Sequence, residues 1–437
     1  QNCHISDGRG ELPASKTQPM LTMLLKLADE AGAEDPIYGN QLQPFAVQSF
    51  DGGDINLGLA VYDGSLNGDE LVGEATPYIE YEALPGTYPD GSVYQLRSPT
   101  YRIKDLSFGD FTENIRFSPR LAPAIFGVGL LEAIPAENIQ ALADESDQDN
   151  DGISGRASMV TSAISGEKVL GRFAYKAQNP SVLQQVAGAY QGDMGITTSI
   201  FGDEPCSEQQ LSCNFIAEQE IKTADKTDVS DKELALVEFY NRVLGVPARR
   251  GYDANSELWQ DNIAVGRKLF FEANCVGCHT PRHVTGIAAG SVLGELTLLS
   301  LEPNAKPIDL LSEQTIFPYT DLLLHDMGGS CKVTREMIDG QLCTGGAECE
   351  YVQRCDGLAD DLIQGDASGT EWKTPALWGI GLTQTVNPEA TFLHDGRART
   401  IEEAILWHDG EAGNSRLAFM QLSQSERQQL LQFVESL

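Results

Sequence analysis

Cys275-Val276-Gly277-Cys278-His279 forms a C-x-x-C-H pentapeptide. Two thiols at that spacing can add across the vinyl groups of a haem, and the adjacent imidazole is then placed to bind its iron. A redox C-x-x-C or half a zinc site would use the same thiols. The immediate His and the lack of a second C-x-x-C favour haem. Cys3-His4 is half of the same signature, with Gln1-Asn2 in the spacer positions, and a Cys directly before Gln1 would complete it. The expectation is that the sequence opens inside a longer chain. Taken alone, a Cys-His pair is an ordinary surface dipeptide. Asp147, Asp149 and Asp151 alternate ahead of Gly152 as in the first half of a calcium loop, but Ser158 stands where an EF-hand carries its bidentate Glu. Calcium and a metal-free acidic turn both stay open.

The chain has 437 residues and nine cysteines. Setting aside Cys3, Cys275 and Cys278 leaves Cys206, Cys213, Cys331, Cys343, Cys349 and Cys355. An even remainder suits disulfides in an oxidising compartment, where c-type haem is also attached, so the expected location is periplasmic or secreted. Cys206 and Cys213 could staple a loop. The other four lie in a Gly-rich stretch with no C-x-x-C and no His between them, which favours disulfides over zinc and leaves the pairing open.

Lys and Arg number 30 against 64 Asp and Glu, a formal charge of −34. That balance argues against a nucleic-acid partner and against docking on anionic lipid. The longest apolar stretch, Leu121 to Ile134, is broken by Pro123, Gly127 and Gly129 and is too short to span a membrane. No signal peptide is visible, which means little for a chain that opens on Gln1.

The elements that must position these groups are legible in outline. Thr17 to Ala31 reads as a helix, with Met20, Met23, Leu24 and Leu27 at helical spacing. From about residue 44 to 117, short alternating runs between Gly, Asp and Pro clusters signal strands and hairpins. Leu121 to Ala143 turns helical again. Ser230 to Leu244 is a capped helix, with Glu233 at the capping-box position and Leu236, Phe239, Tyr240 and Val243 along one face. The helix stop at Gly245 and the following Pro247 mark a boundary, giving domains of 1–245 and 250–437.

Several ordered stretches together resemble the bacterial dihaem cytochrome c peroxidase superfamily, most closely its branch of dihaem oxidoreductases called predicted thiol oxidoreductases. They are Cys3-His4 with Asp7-Gly8-Arg9-Gly10, then Asp151 to Arg156, Asp193 to Thr197, Cys275 to Thr280, Pro318 to Gly328, and Phe392 to Arg397. The resemblance spans most of the chain and implies two covalent haems, one per cytochrome c-like domain. That raises Cys3-His4 to a first haem site. The implied fold is mainly α, with a β-rich insertion (about 44–117) in the first domain and a Cys-rich insertion (331–355) in the second.

The resemblance also implies ligands. In these peroxidases a His-Asp-Gly motif is followed fourteen residues later by the distal ligand of the C-terminal haem, and that position counted from His394 is His408. Imidazole there, in place of the usual Met, would give a low-spin iron of lower potential. Thr400 and Glu403 are spaced to cap a helix that ends at His408. His325 and Met327 are rivals for that coordination position, and a His that only caps the helix end through its dipole is the plain alternative for His408. His394 is expected to orient neighbours, and His283 to lie at the surface or beside a propionate. Met20 stands where the peroxidases carry a removable distal His, yet its apolar spacing suits core packing, which leaves the first iron open. Asp193 falls at the position of the catalytic Glu and Gln185 at that of the Gln. A surface Asp in a Gly-rich turn is the plain alternative. Trp372 and Trp378 are candidates for passing electrons, with core packing as the alternative.

The expected function is a dihaem c-type oxidoreductase, peroxidase-like, taking electrons from a small redox protein at the His279/His408 haem and passing them to a substrate haem on His4. The alternatives are a non-catalytic multihaem electron carrier and oxidative maturation of a partner protein, as in the related enzyme that modifies Trp residues of methylamine dehydrogenase.

Overall fold

A computed structural model describes residues 3–437 apart from 17, 19, 21, 45–72, 208–226, 289–307 and 347. Helix and strand are nearly balanced, 25% against 23%, with several sheets, so the mainly α expectation is corrected to a mixed fold. Among the described residues no helix is long and apolar enough to cross a membrane.

Part of the excess strand comes from the stretch read as the first helix, which instead holds the strand Met23–Ala28. It pairs antiparallel with Arg116–Leu121, from Met23 opposite Leu121 to Ala28 opposite Arg116. Met23, Leu25, Leu27 and Ala28 are buried, while Leu24 and Lys26 are half-buried. A short apolar run satisfies both periodicities, and here a distant partner strand decides between them. Leu121 to Ala143 gives only two short helices, Val128–Glu132 and Ala136–Gln140.

The larger surprise is long-range. Strands Thr76–Thr87 and Val93–Lys104, from the β-rich insertion, join Ser330–Glu336 and Glu350–Asp356 in one antiparallel four-stranded sheet. The Cys-rich stretch is therefore the outer hairpin of a sheet begun more than two hundred residues earlier. Cys331 and Cys355 face each other across that hairpin and are disulfide-bonded, and Cys343–Cys349 closes a loop near its tip. Cys206 is also disulfide-bonded, while Cys213 lies outside the described residues.

Helix Asp231–Val243 carries the expected Ser230/Glu233 capping box. Its buried face is Leu234, Ala235, Glu238 and Arg242, whereas Leu236, Tyr240 and Val243 are exposed. The apolar-face reading was misled because Arg242 turns inward to pair with Glu132 at 2.8 Å, and Tyr240 turns outward to donate to Asp7 at 2.9 Å. In the C-terminal half, helix Asp261–Glu272 crosses Gln424–Ser436 at Gly266, where any Cβ would collide with the Gln429 carbonyl. This crossing fixes the end of Asp261–Glu272, and the C-x-x-C-H segment follows directly.

Candidate functional site

Asn274 adopts a left-handed conformation (φ 56°) and turns the chain into a 3-10 turn over Cys275–Gly277. Cys275 and Cys278 are free thiols, and burial pushes the Cys275 thiol up to about 12. His279 Nδ1 lies 2.9 Å from the Tyr319 carbonyl. A carbonyl only accepts, so Nδ1 carries the proton and the lone pair stays on Nε2, the form that binds metal. His408 repeats the device. It follows helix Ile401–Leu406, which is capped by Thr400, and its Nδ1 donates to the Ala404 carbonyl at 2.7 Å. Burial holds His279 down to about 4, with the nearby His408 disfavouring its protonation as well. Burial likewise lowers His408. Two neutral imidazoles, each with Nε2 available, stand within electrostatic reach beside two thiols.

His325 does not compete. Its Nε2 bonds Asp321 Oδ2 at 2.9 Å and its Nδ1 bonds Glu411 Oε2 at 2.7 Å, with Cys278 Sγ 3.5 Å away. Burial opposes its charge, but these hydrogen bonds, Asp321's first, carry its pKa up to about 12. The ring is a protonated strut with no lone pair to offer. The stretch Asp151 to Arg156 is built around it. Asp151 accepts from Asn274 at 3.0 Å, Ser154 donates to Glu411 at 2.9 Å, and Arg156 pairs with Asp366 at 3.0 Å. Gly155 leaves room for the imidazole, since a Cβ there would sit 2.5 Å from His325 Cε1. The carboxylates of Asp147, Asp149 and Asp151 offer oxygens within 4.8 Å of one another, a spacing that one cation could span.

At the other end of the chain, His4 Nδ1 lies 2.6 Å from the Pro123 carbonyl, which again leaves Nε2 with the lone pair. Burial lowers the His4 pKa and raises that of Cys3, and Asp193 acts electrostatically on both. Asp193 ends helix Val182–Met194. Its side chain is open to solvent on one side yet hemmed in by protein, and burial raises its carboxyl pKa against Lys26, Gln41 and His4. Gln41 Nε2 donates to Gly192 O at 2.8 Å and to Asp193 Oδ1 at 3.2 Å, and Gln43 Nε2 donates to Gly192 O at 2.8 Å.

The sequence profile of the family described as "Di-haem oxidoreductase, putative peroxidase" matches residues 1–343 and 350–437. The chain belongs to this family. No curated protein matches it. A solved structure of hydrazine synthase from Kuenenia stuttgartiensis, pressurized with 20 bar xenon, is similar at 16% identity over 73% of each chain, with a TM-score of 0.31. That likeness is too slight to carry an argument.

A di-haem oxidoreductase carries two haems, and the donor sets fit them. Cys275, Cys278, His279 and His408 offer two free thiols and two imidazoles with Nε2 unengaged, the donor types that would hold one haem. Cys3 and His4 supply one thiol and one imidazole with the same Nδ1-to-carbonyl lock. Zinc is the poorer fit at the second site. There Cys278 touches a protonated His325, which a compact tetrahedral site would have to displace.

The other expectations divide. Gln185 is not beside Asp193. It sits near the start of the same helix and accepts from Asn179 at 2.8 Å. The amide that holds Asp193 is Gln41, which sequence reading missed because a lone Gln far along the chain from its partner leaves no local signal. Met20 is core, packed with Met23, Ile79, Tyr101 and Leu121. His283 is buried rather than superficial, because its Nε2 bonds Thr320 O at 2.7 Å. His394 stacks on Trp372 with ring centroids 3.9 Å apart, and neighbouring Asp395 accepts from Tyr101 and Arg397 at 2.7 and 2.8 Å. This di-haem oxidoreductase thus uses its His-Asp-Gly-Arg motif to bolt the four-stranded sheet to the C-terminal half. Arg9 extends the bolt by donating to the carbonyls of Thr391 and Leu393. Trp372 and Trp378 are both buried, and Trp372 also carries the Lys176 ammonium 4.4 Å from its ring centre, which disfavours its oxidation.

Proposed function

We propose that the chain is a peroxidase-like dihaem oxidoreductase of the periplasm or the secreted space. The His279/His408 site receives electrons, and the His4 site reduces a small peroxide-like substrate. The observation that carries this reading is the asymmetry of the two sites. The second offers two neutral imidazoles, whereas the first offers one imidazole and, near it, a carboxyl held by an amide. Haem, when bound, supplies the redox-active iron. The chain supplies the proton handling.

Asp193 Oδ1 is engaged by Gln41 Nε2, so Oδ2 is the oxygen available to take a proton from a bound hydroperoxide and return it to the departing oxygen. A raised carboxyl pKa brings Asp193 closer to the working pH, where such a shuttle is most effective. The tie between Gln41 and Gly192 O keeps the carboxyl aimed. A charge of −34 favours a small basic redox protein as donor, because opposite charge speeds encounter.

The test is a peroxide titration of the ferric, fully matured protein with optical and EPR detection. The expected result is a high-spin signal that peroxide perturbs, together with peroxide consumption when an artificial reductant is supplied. Two low-spin signals indifferent to peroxide would assign the chain to electron carriage instead.

A further inference from the structure

We propose that Trp407 is a positioning residue of the second haem site, its indole N–H donating to a propionate carboxylate of the haem that His279 and His408 hold. The inference rests on the proposed function only in placing a haem on those two imidazoles.

Trp407 immediately precedes His408 and closes helix Ile401–Leu406 in right-handed helical geometry, at φ −83° and ψ −11°. The turn that presents the imidazole therefore also fixes the indole. Trp407 belongs to the core cluster that includes Tyr319 and Phe392, with Cys275 and Ile405 packed against it. Tyr319 is the residue whose carbonyl locks His279, and Cys275 is one of the two free thiols of the site. The locking residue, the thiol and the indole thus share one apolar body.

Within that body the indole is 8% exposed, and its Nε1 is buried with no hydrogen-bond partner among the described residues. Tryptophan has a donor and no acceptor, and when buried it ordinarily finds a partner. Trp372 shows the ordinary case, donating from Nε1 to the Leu358 carbonyl at 2.9 Å. What Trp407 needs is an acceptor. A haem brings two such groups as ionised propionates, its ring nitrogens being taken by iron.

The surroundings suit an anion. The Arg397 guanidinium lies 4.6 Å from the Trp407 ring centre, ion-paired to Asp395 at 2.8 Å and donating to the Gly357 carbonyl. A cation on the ring face draws electron density out of the indole and makes its N–H the better donor. Arg416, on the following helix Gly413–Gln421, reaches back to Asp409 at 3.3 and 3.4 Å, and its Nε is buried and unpartnered. Charge-assisted bonds ordinarily run about 2.7–2.9 Å, so this guanidinium is only loosely committed to Asp409. A buried carboxylate needs donors or opposite charge. Trp407 stands on one side of His408 in the chain, and Arg416 is tied to Asp409 on the other.

The experiment is resonance Raman spectroscopy of the matured, haem-loaded full chain, wild type against Trp407→Phe. Ultraviolet excitation isolates, by difference, the Trp407 indole band that reports N–H hydrogen bonding, and visible excitation follows the propionate bending bands. The indole band is expected at its hydrogen-bonded position. In Trp407→Phe one propionate band should move to lower frequency and lose its shift in deuterium oxide. The midpoint potential of the low-spin haem should fall as well, because less of the carboxylate charge is offset and ferric iron is favoured. Trp259→Phe, which removes an indole elsewhere in the same half, should leave the propionate bands in place. If Trp407→Phe does not fold, the benzothiophene isostere at position 407 exchanges N–H for sulfur, keeps the shape and carries the same expectation. A wild-type indole band at the free N–H position overturns the proposal. So does a propionate band indifferent to both replacements, which with a bonded N–H would assign the indole a water partner. If His408→Gly leaves the low-spin signal unchanged, the ligand reading fails, and the Raman bands still report separately on Trp407.

Discussion

A His408→Gly variant is expected to fold, to retain its covalent haems, and to exchange the low-spin signal of the second site for a high-spin one. Peroxide turnover with a protein donor should fall by about a hundredfold, since even outer-shell changes at metal sites cost 10–100-fold. The physical ground is the Nδ1 lock. With the Ala404 carbonyl taking the Nδ1 proton at 2.7 Å, His408 can present only Nε2, and it presents it near His279. His325 cannot step in, because Asp321 and Glu411 occupy both of its nitrogens. Added imidazole should refill the space and restore the low-spin spectrum. A variant whose low-spin signal persists unchanged would mean that Met327 or another group is the ligand.

Asp193→Asn should lower peroxide turnover by about 10²–10⁴, the usual contribution of a positioned general acid–base. The amide keeps the size of the side chain and can still meet Gln41, but it cannot accept and return a proton. In the wild type the rate should fall as the solution is made more acid and Asp193 becomes protonated. That limb should lie above the ordinary carboxylate range, because burial raises the Asp193 pKa. Electron uptake by the second site, measured in the absence of peroxide, should be unaffected. Steady-state kinetics across pH, with anaerobic reduction as the control, checks both statements. Equal loss of reduction and turnover would instead assign Asp193 a structural role.

What was legible in the sequence was local chemistry. Cys275 to His279 is contiguous, so a five-residue turn after a helix end is enough to assemble it. The short helix that ends just before His408 was legible because Thr400 and Glu403, which cap it, are a local pair. The Ser230/Glu233 capping box was read correctly for the same reason. Most of the failures are long-range. Met23–Ala28 is a strand because Arg116–Leu121 pairs with it, and nothing within the segment says so. The merging of the two insertions into one sheet depends on Tyr351 meeting Ile103 and Arg354 meeting Thr100, contacts between stretches with no shared local pattern. The inward turn of Arg242 is a buried ion pair, and helical periodicity registers such a residue as polar and exposed. Gln41 belongs with these, since its role exists only through Asp193 on a distant helix.

The most direct measurement is a pyridine haemochrome assay on the full-length, matured protein, combined with quantitative EPR of its ferric state. Two covalent haems per chain, one low-spin on His279 and His408 and one high-spin on His4, is the predicted result. A single haem, zinc in place of iron, or two low-spin centres would contradict a chain with one iron closed for electron transfer and the other open to substrate.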